Sequence, residues 1–181
     1  MKRKALAITL AAVMAMGTCA VTASAADGDK YTIGICQLVQ HDALDAATQG
    51  FKDEVIKELG EDAVTFDEQN AQGDSNTCST IVNSFVSNNV DLILANATPA
   101  LQAAAAGTSD IPILGTSVTE YGVALGLDDF DGTVGGNISG TADLAPLDEQ
   151  AAMLQELFPD AKNVGLLYCS AEANSQYQVD T

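Results

Sequence analysis

From Tyr31 onward the chain alternates short apolar runs with longer stretches in which apolar residues recur at three- and four-residue steps. The first pattern predicts strands and the second predicts helices, because side chains alternate across a strand and return to one helix face every three or four residues. Tyr31–Cys36 is a predicted strand. Asp42 is placed as the N-cap of a helix whose Leu44, Ala47, Phe51, Val55 and Leu59 share one face, and Gly60 suits its stop. A second strand begins over Ala63–Phe66. The next helix opens near Asp74, carries the stripe Cys78, Ile81, Val82, Phe85 and Val86, and ends at Asn88-Asn89. Val90–Ala95 is almost continuously apolar, as a strand covered on both faces should be. Thr98-Pro99 offers an N-cap hydroxyl and a proline at the first position of an alanine-rich helix that stops at Gly107. Ile111–Gly115 is a fourth strand, with Pro112 near its start, where a missing N–H is tolerated.

Strands alternating with helices in this way pair in parallel through right-handed crossovers, so the expected fold class is α/β, a parallel sheet with helices on both faces. Leu125–Ser139, rich in Gly and Asp, reads as an edge strand or a connection; it contains no G-x-G-x-x-G or G-x-x-x-x-G-K pattern that would cradle phosphate. Past Pro146 the pattern restarts with a helix, Leu147 to about Leu157, a strand over Val164–Tyr168, and a helix opening near Glu172 in which the sequence ends. Residues 26–145 are therefore expected to form a first α/β lobe. Residues 146–181 are expected to begin a second that is incomplete, since so short a segment cannot cover both faces of a new strand.

The start of the chain reads differently. Lys2-Arg3-Lys4, an apolar run from Ala5 to about Met16, and small residues ending in Ala23-Ser24-Ala25 form a three-part secretory signal over residues 1–25, with cleavage expected after Ala25. The apolar run is too short to span a bilayer as a helix. Cys19 raises lipid attachment as a second reading, which Thr18 disfavours because a smaller residue is expected before a lipidated cysteine. The formal charge is −18, from 7 basic and 25 acidic residues, and loss of the basic start makes the remainder more acidic still. Such a chain repels phosphate backbones and anionic membranes, so nucleic acid is not an expected partner. The remaining cysteines, Cys36, Cys78 and Cys169, are odd in number and widely spaced, which resembles neither a disulfide framework nor a zinc site; they read as small apolar core residues on strands and a helix.

In an open parallel sheet ligands bind at the carboxyl ends of the strands. The residues following each apolar run are Gln37, Val39, Gln40 and His41; Gln69, Asn70 and Gln72; Asn96 and Thr98; Thr116, Ser117 and Thr119. They are amides and hydroxyls almost throughout, suited to hydrogen-bonding a small polar ligand. His41 is the single histidine; no G-x-S-x-G elbow supplies it with a nucleophile. Asp128, Asp129 and Asp131 lack calcium-loop spacing and read as a solvated loop. Asp143, where the chain passes between the expected lobes, suits either an ammonium group or a hinge cap. The Thr98-Pro99-Ala100 turn presents a helix N-terminus to the same edge, where free N–H groups and the helix dipole favour a carboxylate. No metal or cofactor is called for.

Five blocks carry a resemblance: Gln37–Asp45, Gln69–Asp74, Asp91–Ala100, Thr141–Leu144 and Leu167–Ser175. In order and spacing they resemble the TrpX-type substrate-binding proteins of ABC transporters, over about Tyr31 to Gln178. The resemblance implies a two-lobed type I periplasmic-binding-protein fold that closes over a small ligand and delivers it to an ABC permease in the membrane. An amino acid is the implied cargo, aromatic in several members. Carried to matching positions, it implies ligand contacts from Gln37, His41, Gln69, Asn70, Thr98, Ala100, Ser117, Thr119 and Asp143 on the first lobe, with Asn174 and Ser175 facing them from the second. Asp42 stands where many relatives have proline, and Cys169 where a polar residue is common. The expected function is thus non-catalytic capture by an exported, periplasmic or cell-surface protein. Two alternatives from other classes are a secreted α/β hydrolase or transferase using His41, and the ligand-sensing module of a receptor.

Overall fold

A computed structural model of the chain describes residues 30–181; the signal-like segment and Cys19 lie outside the described residues. In chain order the elements are β1 (Tyr31–Gln37), α1 (Asp42–Leu59), β2 (Val64–Asn70), α2 (Ser75–Ser87), β3 (Leu92–Asn96), α3 (Thr98–Gly107), β4 (Ile113–Val118), α4 (Tyr121–Leu125), β5 (Ile138–Ala142), α5 (Leu147–Leu157) and α6 (Ala173–Asp180). The strands form one sheet in the order β2-β1-β3-β4-β5, and every neighbouring pair is parallel. The winding reverses between β1 and β3: the chain steps outward from β1 to β2, then returns to the other side of β1. In open parallel sheets a ligand crevice lies at the carboxyl ends of the two strands flanking such a reversal.

Alternation along the strands sorts the core into two layers. Cys36, Ile93, Ala95 and Ile113 face α2, α3 and α4, meeting Cys78, Val82, Phe85, Leu101, Ala104 and Tyr121 in the larger cluster. Ile33, Ile35 and Leu94 face the other way, onto Phe51 and Val55 of α1. Phe85 lies directly against Gly34 of β1: a Cβ built there would stand 2.7 Å from the ring carbons, so only glycine lets the ring reach the sheet.

The structure moves several expected boundaries. β2, β3 and β4 each extend past the apolar residues into polar ones, ending at Asn70, Asn96 and Val118, because parallel pairing continues through Cys36↔Gln69, Gln37↔Asn96 and Asn96↔Thr116. α1 is capped by His41, whose Nδ1 accepts from Ala43 N–H at 3.2 Å, so Asp42 is the first helical residue and not the cap. Thr98 is likewise inside α3, with Ala97 in the cap position and no side-chain cap bond. α4 was not expected; Glu120 caps it by accepting from Gly122 and Val123 N–H. The segment after it is a connection as far as Asn137, then becomes edge strand β5, paired with β4. Val164–Tyr168 is not a strand: none of the described residues pairs with it, its apolar side chains are exposed, and a strand without a ladder partner has nothing to hold it. Cys36 and Cys78 are buried as expected, whereas Cys169 is exposed.

Because the space over Gly34 is filled by a fully buried ring, Gly34→Ala forces Phe85 out of position. The expected cost is about 1–3 kcal/mol of folding stability, read as a lower urea midpoint at unchanged slope.

Candidate ligand site at the strand ends

The carboxyl ends of β1 and β3 are joined by buried side chains. Asn96 is wholly buried, and its Nδ2 donates to the Leu44 carbonyl at 2.8 Å and to Thr48 Oγ1 at 2.9 Å. The Thr48 hydroxyl donates in turn to Gln37 Oε1 at 2.7 Å. Gln37 Nε2 donates to the Val39 carbonyl at 2.9 Å and to Asp45 Oδ1. Two strands and the first turns of α1 are thereby locked together, and the turn carrying His41 is held at the sheet edge. Gln37 is 5% exposed and both ends of its amide are engaged within the chain.

Next along the edge is the start of α3. Ala97 has φ 89°, a conformation that side chains other than glycine rarely adopt. Its N–H donates to the Thr116 carbonyl at 3.0 Å, and its carbonyl accepts from Leu101 at 3.1 Å, so both sides of the strained residue are pinned. Thr98 follows, 2% exposed, and its hydroxyl has no hydrogen-bond partner. A buried hydroxyl without a partner is unfavourable by roughly 1–3 kcal/mol, which makes Thr98 a candidate ligand contact. Ala100, fully buried, stands in the same first turn, whose N–H groups have no partner four residues back within the helix.

β4 ends in a bulge between Gly115 and Val118, where Ser117 takes φ 54° and is turned out of the regular ladder. Thr119 follows and is nearly buried. Asp143 N–H donates to the Val118 carbonyl at 3.0 Å, bringing this exposed carboxylate beside the ends of β4 and β5. Beneath it Tyr121 fits between Gly115 and Gly140, where a Cβ at either glycine would collide with its hydroxyl. The phenol donates to the Thr141 carbonyl at 3.3 Å, and burial, reinforced by the Asp143 charge, pushes its pKa up to about 12.

The remaining expected positions fall into two groups. His41 is exposed at the rim of β1; Asn70 Oδ1 is engaged by Gln72, while Gln69 donates to Asp67 at 3.0 Å. Asn174 and Ser175 lie in the first turn of α6, which packs against α4, and Asn174 Oδ1, like Asn96 Oδ1 and the Thr98 hydroxyl, is a buried oxygen without a partner. Two cavities lie to either side of this edge. One of about 290 Å³ sits between Tyr121, Phe130 and the Gly132–Gly135 turn. The other, about 440 Å³ and mainly apolar, opens over Phe51, Leu94 and Leu114 and shares Thr116 with the edge. Thr48 and Tyr121 were missed from the sequence. Thr48 carried a readable signal, a polar residue within the apolar stripe of α1, whereas nothing local marks Tyr121. Among the described residues no cluster of three metal-ligating side chains occurs, and no helix is long and apolar enough to cross a membrane.

An open parallel sheet with a reversal at β1 and β3, edged by amides, hydroxyls and a helix N-terminus, is the arrangement at which folds of this class hold small ligands. The chain belongs to the ABC transporter substrate binding protein family, whose sequence profile matches residues 32–181, and has the type I periplasmic-binding-protein fold. Among its relatives is the tyrosine-binding protein of Clostridioides difficile strain R20291, 43% identical over 155 residues that cover 82% of this chain and 44% of that protein. A Streptococcus pneumoniae domain solved in complex with L-Trp superposes with a TM-score of 0.77 at 34% identity, covering 84% of this chain and 52% of the other. The ligand-free, open structure of a Clostridium difficile substrate binding protein with adhesive properties matches at 43% identity and a TM-score of 0.64, covering 83% and 51%. The chain thus spans about half the length of the relatives it matches.

The raised Tyr121 pKa has a consequence for stability. An unfolded tyrosine titrates near 10, so the contribution of a neutral Tyr121 is fully present below about pH 10 and is lost as pH rises through about 12. Urea midpoints across that window should fall for the native chain and fall less for Tyr121→Phe.

Proposed function

We propose that the chain is the first part of an exported binding protein that captures an amino acid, aromatic in its preferred form, in a cleft between two lobes and presents it to an ABC permease. Residues 26–145 supply one wall and residues 146–181 begin the other. The single observation that carries this reading is the unpartnered hydroxyl of Thr98, buried at the start of α3 beside free backbone N–H groups. That corner suits a carboxylate, which accepts from the hydroxyl, the Ala100 N–H and the positive end of the helix dipole. Ser117 and Thr119 lie next to it. Asp143 takes the ammonium group across the edge, and Asn174 and Ser175 contribute from the opposite wall. Gln37 acts through Thr48 and Asp45, holding the His41 rim in place, while His41, Gln69 and Asn70 border the side-chain end of the ligand.

The relatives support the ligand class: one is described as tyrosine-binding and another was solved in complex with L-Trp. Closure over the ligand shifts a population of open molecules toward a closed one by the added contacts of the second wall. The signal over residues 1–25 and the family membership support an extracytoplasmic location.

Calorimetric titration of the purified mature protein with L-tyrosine, L-tryptophan and L-leucine tests the reading. Binding of at least one aromatic amino acid is expected. Thr98→Val, which removes the hydroxyl at nearly constant volume, should weaken it roughly tenfold to a hundredfold while leaving the circular dichroism spectrum unchanged. Unaltered affinity in Thr98→Val would remove the carboxylate from this corner.

A further inference from the structure

Cys36 and Cys78 take no part in the site. Cys36 is the second-last residue of β1 and faces α2; Cys78 lies in the first turns of α2 and faces the sheet. Both are free thiols, wholly buried in one cluster. Their relative position is set by the intervening backbone: Ala71 N–H donates to the Gln37 carbonyl at 2.8 Å, Gly73 N–H to the Leu38 carbonyl at 2.8 Å, and Asp74 N–H to the Ala71 carbonyl at 3.0 Å. Asp74 then caps α2 by accepting from Thr77 N–H at 2.7 Å. The two wholly buried thiols face each other across this corner within one cluster. Each affects the other's ionisation, with Cys78 held below its ordinary range by Cys36 and Cys36 raised by Cys78 and by burial. Spacing along the sequence hides the pair, because β2 and the turn into α2 lie between its members.

We propose that Cys36 and Cys78 are a disulfide-forming pair that staples β1 to α2 beside the strand ends carrying Gln37, Gln69 and Asn70. The oxidant is a disulfide donor of the extracytoplasmic space, so only the place of oxidation rests on the export reading above. The Cys78 thiol loses its proton to solvent and its thiolate attacks one sulfur of the donor, releasing one donor thiolate. Cys36, deprotonated in its turn, attacks Cys78 Sγ and displaces the second donor thiolate. Two protein S–H bonds become one S–S bond, and the donor is reduced to two thiols. Because both sulfurs are buried in the folded chain, exchange takes place as the domain folds or when the start of α2 opens transiently.

The purified full-length mature protein, refolded from urea in mixed reduced and oxidised glutathione, denatured in N-ethylmaleimide and mapped by mass spectrometry, tests the proposal. Cys36 and Cys78 are expected in one linked peptide, lighter by two hydrogens and free of maleimide, while Cys169 is alkylated. Without any ligand, the thermal midpoint should fall by several degrees on reduction with dithiothreitol, a response absent from a C36A/C78A variant. Maleimide on both Cys36 and Cys78 after oxidation, or a stable glutathione adduct on either, overturns the pairing. The peptide map uses only the native chain, so the proposal stays decidable if the double variant does not fold, and neither readout depends on amino-acid binding.

Discussion

The amide of Asn96 is the constraint on which the rest of the edge depends. A wholly buried amide must find partners inside the protein, since leaving its groups unpaired is unfavourable by about 1–3 kcal/mol each. The Nδ2 of Asn96 finds them in the Leu44 carbonyl and the Thr48 hydroxyl, both on α1, while its Oδ1 is left without one. That choice draws the start of α1 onto the ends of β1 and β3, at the point where the winding of the sheet reverses. Gln37 and Asp45 complete the lock, and His41 is left at its rim as the cap of α1. Removing any member would leave others buried without partners, so the polar cluster acts as a unit.

At the ends of β3 and β4, beside this lock, two residues leave ordinary backbone geometry, Ala97 and Ser117. Each departure is unfavourable by roughly 1–3 kcal/mol and persists only where its surroundings over-determine it. Both occur at the carboxyl ends of neighbouring strands, β3 and β4, where the chain must leave the sheet abruptly. At Ala97 the result is a helix that starts immediately, with its free N–H groups at the edge and Thr98 turned inward. At Ser117 the bulge shifts the register with β5, so that pairing resumes at Val118↔Ala142 and Asp143 N–H returns to the Val118 carbonyl. The proposed capture of a zwitterion draws on both: a positive helix end and a carboxylate stand on opposite sides of one short stretch of sheet edge.

The fold class and the first four strands with their helices were legible because each apolar run is short and each helical stripe is regular, as in Leu44–Leu59 and Cys78–Val86. The strand ends were less legible. Gln69, Asn70, Asn96 and Thr116 are polar, and only their parallel partners make them part of the sheet. α4 is five residues long and was masked by the glycine- and aspartate-rich segment that follows. Val164–Tyr168 carries a strand pattern without a partner among the described residues, which shows that pattern alone does not make a ladder. The site was legible as a list of neutral amides and hydroxyls, yet their division of labour was not. Gln37 and the Nδ2 of Asn96 are spent on internal bonds, and that follows from Thr48, a residue in the second turn of α1 that only the folded chain brings beneath them.

The Thr98 hydroxyl is a donor buried at the start of α3 with its hydrogen-bonding capacity unused, and the central claim is that a ligand carboxylate uses it. A crystal structure of the mature protein grown with L-tyrosine or L-tryptophan tests this most directly. The account predicts the carboxylate within hydrogen-bond distance of Thr98 Oγ1 and the Ala100 N–H, with the ammonium group beside Asp143. A bound amino acid whose carboxylate lies elsewhere, for instance over Phe51 and Leu114, with Thr98 still unpartnered, would contradict it.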